Sequence, residues 1–159
     1  MIQPMTLDCA AQIAGWTYED EYAVYSFQRN GETIRGLLDS GFYACLSGGG
    51  LIGFFCFGSP ARIPTLEKNM YASDCLDVGL GLKPTLCGHG RGAGFMRAGL
   101  AFAEDKFGAE RFRLTVAMFN KRAIRVYEAL GFHTEALVTH SVTKRPFQIM
   151  TLDRLQNDS

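Results

Sequence analysis

The run Leu82-Lys83-Pro84-Thr85-Leu86-Cys87-Gly88-His89-Gly90-Arg91-Gly92-Ala93-Gly94 decides how this 159-residue chain reads. Before it lies a strand-like stretch from about Tyr71 to Leu82. After it, in Ala93–Phe107, Met96, Leu100, Ala103 and Phe107 recur at helical spacing. Glycines 88, 90, 92 and 94 remove Cβ obstruction where strand passes into helix. The first N–H groups of that helix have no intrahelical partner and sit at the positive end of its dipole, so they suit a phosphate. A tight turn needs one or two glycines; four at alternate positions predict a backbone closely approached by an anionic ligand. Gly88-x-Gly90-x-x-Ala93 also fits the dinucleotide fingerprint formally, but Glu110 precedes the next strand instead of ending it. No Lys-Ser/Thr pair follows the glycines, which argues against a nucleotide triphosphatase.

Outward from the loop, Arg111–Ala117 alternates Phe112, Leu114 and Val116 against Arg113 and Thr115, as a strand does. Lys121–Leu130 reads as a helix with Asn120 as N-cap and Gly131 just past its end. Phe132–His140 and Phe147–Asp153 read as two closing strands. Toward the N-terminus, Phe42–Leu46 and Leu51–Phe57 form a hairpin around Gly48-Gly49-Gly50. Leu7–Ala14 and Glu32–Leu38 read as short helices, Ile2–Met5 as a first strand, and Gly58–Asn69, with Pro60 and Pro64, as a loop. Strands flanked by helices throughout predict an α/β or α+β domain on one sheet.

Composition agrees with one globular domain. Apolar residues make up 47% and charged residues 20%, with sixteen Lys plus Arg against sixteen Asp plus Glu. Such a chain buries enough surface to offset its conformational entropy, and its neutrality argues against sequence-independent nucleic-acid binding. The N-terminal MIQPMTLDCAAQIAGW has no basic region and does not read as a signal peptide. Apolar stretches such as Leu51–Phe57 fall short of the roughly 18 residues of a membrane span. Five scattered cysteines without a CxxC pair read as reduced residues of a cytoplasmic protein. His89, His133 and His140 lack metal-ligand spacing, so no metal is expected.

A second signature follows the loop: Asn120-Lys121-Arg122-Ala123-Ile124-Arg125-Val126-Tyr127-Glu128-Ala129-Leu130-Gly131-Phe132. Together with the glycine run it resembles the GNAT superfamily of acetyl-CoA-dependent N-acetyltransferases. That family's cofactor motif, Arg/Gln-x-x-Gly-x-Gly/Ala, falls on Cys87–Gly92. Its second motif, Asn-x-x-Ala-x-x-x-Tyr-x-x-x-Gly-Phe, is matched at each specified position. One departure is Cys87, where the family carries Arg or Gln; the family contacts pyrophosphate at that position partly through the main chain. The resemblance implies a single domain over residues 1–159, with a mixed, mostly antiparallel sheet of six to seven strands flanked by about four helices.

The resemblance also assigns roles. Leu80, Gly81 and Leu82 would give main-chain hydrogen bonds to the pantetheine arm, one of them polarising the thioester carbonyl. Gly88, His89, Gly90, Arg91 and Gly92 would present N–H groups to the pyrophosphate, with Asn120 and Ala123 also at the cofactor. Asn120 also reads as a plain helix cap. Tyr127 would protonate the leaving thiolate, although a core tyrosine has the same helical spacing. Asp77 shares a strand face with Gly79 and Gly81 and is the candidate base, against the alternative of an edge aspartate; Asp74 and Glu19 are reserves. Cys87 at a helix start reads as a small residue in the pyrophosphate turn, with a nucleophilic thiol as the lesser alternative. Trp16, Tyr18, Glu19 and Tyr22, with Asp20, Glu21 and Tyr25 nearby, suit a cationic amine, and equally an amphipathic surface with aromatic anchors.

The activity implied is direct acetyl transfer from acetyl-CoA to a small-molecule or peptidyl amine. The alternative is a non-catalytic acyl-CoA-binding module of the same fold, with a dinucleotide-dependent oxidoreductase a distant third. Family members often pair through an exposed C-terminal strand, which allows a homodimer. Charge is uneven along the chain: residues 1–60 carry two basic and six acidic side chains, residues 111–159 eight basic and four acidic. Lys121, Arg122 and Arg125 fall on the basic side, beside the expected site of an anionic cofactor.

Overall fold

A computed structural model of the chain describes residues 1–154. Within them lie seven strands and four α-helices. The chain divides into two compact units, Met1–Cys56 with Leu80–Arg91, and Phe57–Gly79 with Gly92–Ser159.

In the first unit, β1 (Ile2–Pro4) pairs antiparallel with β2 (Tyr43–Ser47), and β2 pairs antiparallel with β3 (Gly50–Phe57). Gly48 and Gly49 turn the hairpin with φ of 61° and 82°. Two consecutive left-handed residues make the turn whose twist matches the strands, and glycine adopts that conformation without Cβ strain. Helix α1 (Leu7–Ala14) is capped by Thr6, whose hydroxyl accepts from the Cys9 N–H at 3.2 Å. Helix α2 (Gly31–Asp39) is capped by Asn30, whose side chain accepts from the Thr33 N–H at 2.9 Å. Each cap satisfies a donor that the helix itself leaves unpaired. Cys9, Ala10, Ile13 and Ala14 form the buried stripe of α1. The first three of these join Trp16, Leu37, Ala44, Leu51 and Phe54 in one apolar cluster.

The second unit takes in the first residues of β4 (Leu76–Leu82). Helix α3 (Gly92–Phe107) follows in sequence, then β5 (Arg111–Ala117), which runs parallel to β4 with Leu76 beside Phe112 and Asp77 beside Arg113. Helix α4 (Lys121–Ala129) leads to β6 (His133–Thr139), and β7 (Pro146–Asp153) pairs antiparallel with both β5 and β6. Met96, Leu100 and Ala103 are fully buried, as their spacing predicts. Phe107 is not: it is 46% exposed, and its ring lies 5.4 Å from that of Phe57.

The mixed, mostly antiparallel class is as expected, since β4–β5 is the parallel pairing among those within either unit. Two expectations need correction. The strand before the glycine run starts at Leu76, not near Tyr71. Tyr71 is drawn away from an extended ladder: its ring lies under the guanidinium of Arg113, 5.1 Å from the centroid, and its hydroxyl is 2.7 Å from Thr115 Oγ1. Arg113, which alternation places outward, is 3% exposed because an acid on the neighbouring strand partners it. A six-residue 3-10 helix, Asp20–Tyr25, and shorter ones at Ser59–Ala61 and Pro84–Leu86 carried no periodic signal. No helix among the described residues is long and apolar enough to cross a membrane.

Candidate active site

Strand β4 ends at Leu82, and the next residue anchors the turn: the Lys83 N–H donates to the Ile52 carbonyl at 2.7 Å. Pro84 opens the short 3-10 helix, closed by Leu86 N–H to Lys83 O at 2.8 Å and Cys87 N–H to Pro84 O at 3.2 Å. Gly88 and Gly90 then take φ of 78° and 74°, a region other residues rarely adopt. Gly92 and Gly94 lie inside α3 and need no such conformation. Gly88 through Arg91 are exposed, with Cys87-Gly88 forming a turn directly ahead of α3. Left-handed residues in such a loop turn N–H groups into a concavity that takes anions. Cys87 departs from expectation, because its N–H is already bonded to Pro84 and its thiol lies 3.6 Å from both Leu82 O and Lys83 O.

In the same unit Tyr18 reaches this turn. Its phenol donates to the Leu82 carbonyl at 2.8 Å, and its own N–H donates to Ser26 Oγ at 2.9 Å. Burial, and secondarily Cys87, push the Tyr18 phenol above its ordinary value. The Leu82 carbonyl thus already accepts a hydrogen bond within this unit. Gly81 has a steric reason of its own: a Cβ there would run into the ring of Phe54. Trp16, expected at an acceptor surface, is instead 9% exposed and tilted against Phe54 at 6.4 Å between centroids, so it is a core anchor. Glu19 is exposed and accepts from the Tyr22 N–H at 3.0 Å through its carbonyl, while Tyr22 is half-buried. The side chains of Asp20 and Glu21 lie outside what the structure describes.

In the second unit, each specified position of the Asn120–Phe132 signature has a structural task. Asn120 caps α4, its side-chain oxygen accepting from the Ala123 N–H at 3.2 Å. Past the other end, Gly131 stands at φ of 104° and its N–H donates to Glu128 O at 3.1 Å. The Phe132 N–H donates to Tyr127 O at 3.0 Å, and the two rings lie 6.0 Å apart. That pair of bonds with its apolar contact is a Schellman ending. Tyr127 is consequently 8% exposed, with its ring set by the helix end. Where α3 begins, the space beside Gly92 is limited by Val126 of α4, 3.4 Å from an added Cβ.

Asp77 is the chief surprise. It is 1% exposed; Arg113 Nε lies 2.6 Å from Oδ1, Arg113 Nη2 2.8 Å from Oδ2, and Arg62 Nε 2.8 Å from Oδ2. The hydrogen bond to Asp77 outweighs burial and holds the Arg113 guanidinium above its ordinary value. Both oxygens of this carboxylate already accept from guanidinium groups, and the side chain has no exposed face for an incoming amine. The expectation of a base at Asp77 is therefore corrected. Asp74, a reserve, is exposed and 3.9 Å from Arg111 and Arg113. Reading one strand at a time missed the pair; the available signal was one opposite charge in each of two strands bracketing the loop helix. No group of three or more His, Cys, Asp or Glu among the described residues is arranged to hold a metal.

The site can be set beside known proteins. The sequence profile described as Acetyltransferase (GNAT) family matches residues 7–132. No curated protein matches the chain. The fold is similar to that of aminoglycoside acetyltransferase AAC(6')-Ib in complex with coenzyme A, at TM-score 0.76 and 19% identity, over 99% of this chain and 96% of that one. It is similar to an acetyltransferase (GNAT family) from Bacillus anthracis, at TM-score 0.73 and 15% identity, over 97% and 94%. It is also similar to a point mutant of spermidine N-acetyltransferase SpeG from Vibrio cholerae, at TM-score 0.68 and 13% identity, over 98% and 96%.

Proposed function

The chain belongs to the acetyltransferase (GNAT) family, and on that premise we propose that it transfers the acetyl group of acetyl-CoA directly to a primary amine of a small molecule or peptide. The observation that carries this is the exposed loop Gly88–Arg91, whose left-handed Gly88 and Gly90 stand directly before the start of α3. Acetyl-CoA supplies, when bound, an activated thioester and a thiolate leaving group.

The chain's own residues do the rest. The N–H groups from Gly88 to Gly92 bind the diphosphate, aided by the cationic Lys121, Arg122 and Arg125. Leu80 and Gly81 orient the arm through the main chain, and Asn120 and Ala123, at the start of α4, also contact the cofactor. Tyr127 holds a proton on its phenol oxygen and protonates or hydrogen-bonds the departing sulfur. Water takes the ammonium proton, since Asp77 is committed to Arg113 and Arg62. The acidic N-terminal third and the neighbours that act on aminoglycosides and spermidine support a cationic acceptor. The five free cysteines support a reducing, cytoplasmic setting.

The experiment is acetyl-CoA turnover on polyamines, aminoglycosides, amino acids and N-terminal peptides, following free CoA. Binding of acetyl-CoA with no turnover on any amine would favour a non-catalytic acyl-CoA-binding module.

A further inference from the structure

We propose that Tyr18 is a positioning residue for the cofactor loop: its phenol holds the carbonyl of Leu82 and so sets the point from which the chain enters Cys87–Arg91. The inference rests on the proposed function for the identity of the loop's ligand. Its geometry lies wholly within the first unit. Tyr18 Oη donates to Leu82 O at 2.8 Å across 64 residues of sequence. The Cys87 thiol reaches the same oxygen at 3.6 Å. A carbonyl has two lone pairs, so it can accept from the phenol with the thiol also close by. The thiol belongs to the residue that immediately precedes Gly88, so the oxygen ties the strand end to the loop it launches.

Tyr18 is itself held in place. Its N–H is bonded to Ser26 Oγ at 2.9 Å, which closes the segment around the 3-10 helix Asp20–Tyr25. Two residues before it, Trp16 is seated in the apolar cluster with Phe54. The phenol, neutral at ordinary pH, is a donor, and burial raises its pKa further. A donor bonded to a main-chain carbonyl carries no proton for the reaction. Its effect is on where the loop's N–H groups stand, and therefore on acetyl-CoA affinity.

The test is Tyr18→Phe, which removes the hydroxyl and keeps the ring. Titration calorimetry should show Kd for acetyl-CoA rising about three- to tenfold, the range for one lost hydrogen bond. The KM for acetyl-CoA should rise in step, with kcat changed less than about twofold and the KM for the amine unchanged. A general structural defect would instead lower kcat and thermal stability together. A folded Tyr18→Phe protein with unchanged Kd overturns the inference while wild-type binding leaves the function standing. Absence of acetyl-CoA binding by the wild-type chain overturns both. If Tyr18→Phe does not fold, Ser26→Ala, which frees only the Tyr18 N–H, should raise Kd about two- to threefold; no change there overturns it equally.

Discussion

Asp77 and Arg113 face each other across the parallel pair β4–β5, with Nε to Oδ1 at 2.6 Å and Nη2 to Oδ2 at 2.8 Å, both side chains no more than 4% exposed. Arg113 Nη2 also donates to the Ala72 carbonyl at 2.8 Å, and Arg62 closes on the same carboxylate. The pair thus joins the start of β4, the segment before it and β5 into one network. Two ions this deep are tolerated because each satisfies the other, and removal of one leaves an uncompensated buried charge.

Asp77→Asn should therefore act on stability before it acts on chemistry. A loss of about 3 kcal/mol is expected, or roughly 6–12 °C in Tm for a chain of this size. Whatever activity remains should keep the acidic limb of its pH–rate profile. A variant with unchanged Tm and no acidic limb would restore Asp77 as the base.

Gly81 is required by its neighbour, not by its own backbone angles. An added Cβ would meet Phe54, whose ring cannot swing aside because Trp16, Phe27 and Phe42 surround it at centroid distances of 6.4, 5.8 and 5.7 Å. Gly81→Ala should cost about 1–3 kcal/mol by overpacking. Combined with Phe54→Leu, which opens that space, the loss measured by denaturant titration should be smaller than the sum of the single losses. Strict additivity would contradict the contact.

Glu67 gives a dependence on pH. Its carboxylate accepts from the Thr139 N–H at 2.7 Å, and that bond chiefly holds its pKa below 4.5. A pKa depressed in the folded state means stability present above the unfolded value of 4.5 and lost as pH falls through the folded value. Glu67→Gln should accordingly show a smaller drop in Tm than wild type between pH 6 and about pH 3. Identical slopes would show that the bond contributes nothing.

Much of the fold could be read from local chemistry. The bounds of α1 and β5, the hairpin at Gly48-Gly49 and both ends of α4 follow from caps, alternation and glycine placement. The signature from Asn120 to Phe132 was legible because cap, ring contact and left-handed glycine lie within one helix. What escaped was non-local. Tyr71 has strand propensity, but the cation–π contact with Arg113 decides its place. Arg113 alternates as an outward residue yet is buried by an acid 36 residues away in sequence. Trp16 looked like an acceptor aromatic and is core, while Tyr18, two residues on, binds a carbonyl 64 residues away. Such pairings depend on which strand lies beside which, and periodicity along one segment does not encode that.

Direct transfer and the role of Tyr127 as proton donor are reached together by one measurement. Free CoA is followed while wild-type protein and Tyr127→Phe turn over acetyl-CoA across the amine panel. The expected result is release that depends on an added primary amine, with one acetyl group appearing on that amine. Tyr127→Phe should lower kcat by on the order of 100-fold with acetyl-CoA affinity little changed. Release that is independent of every amine, or a kcat unaffected by loss of the Tyr127 hydroxyl, would contradict direct transfer with Tyr127 as the acid.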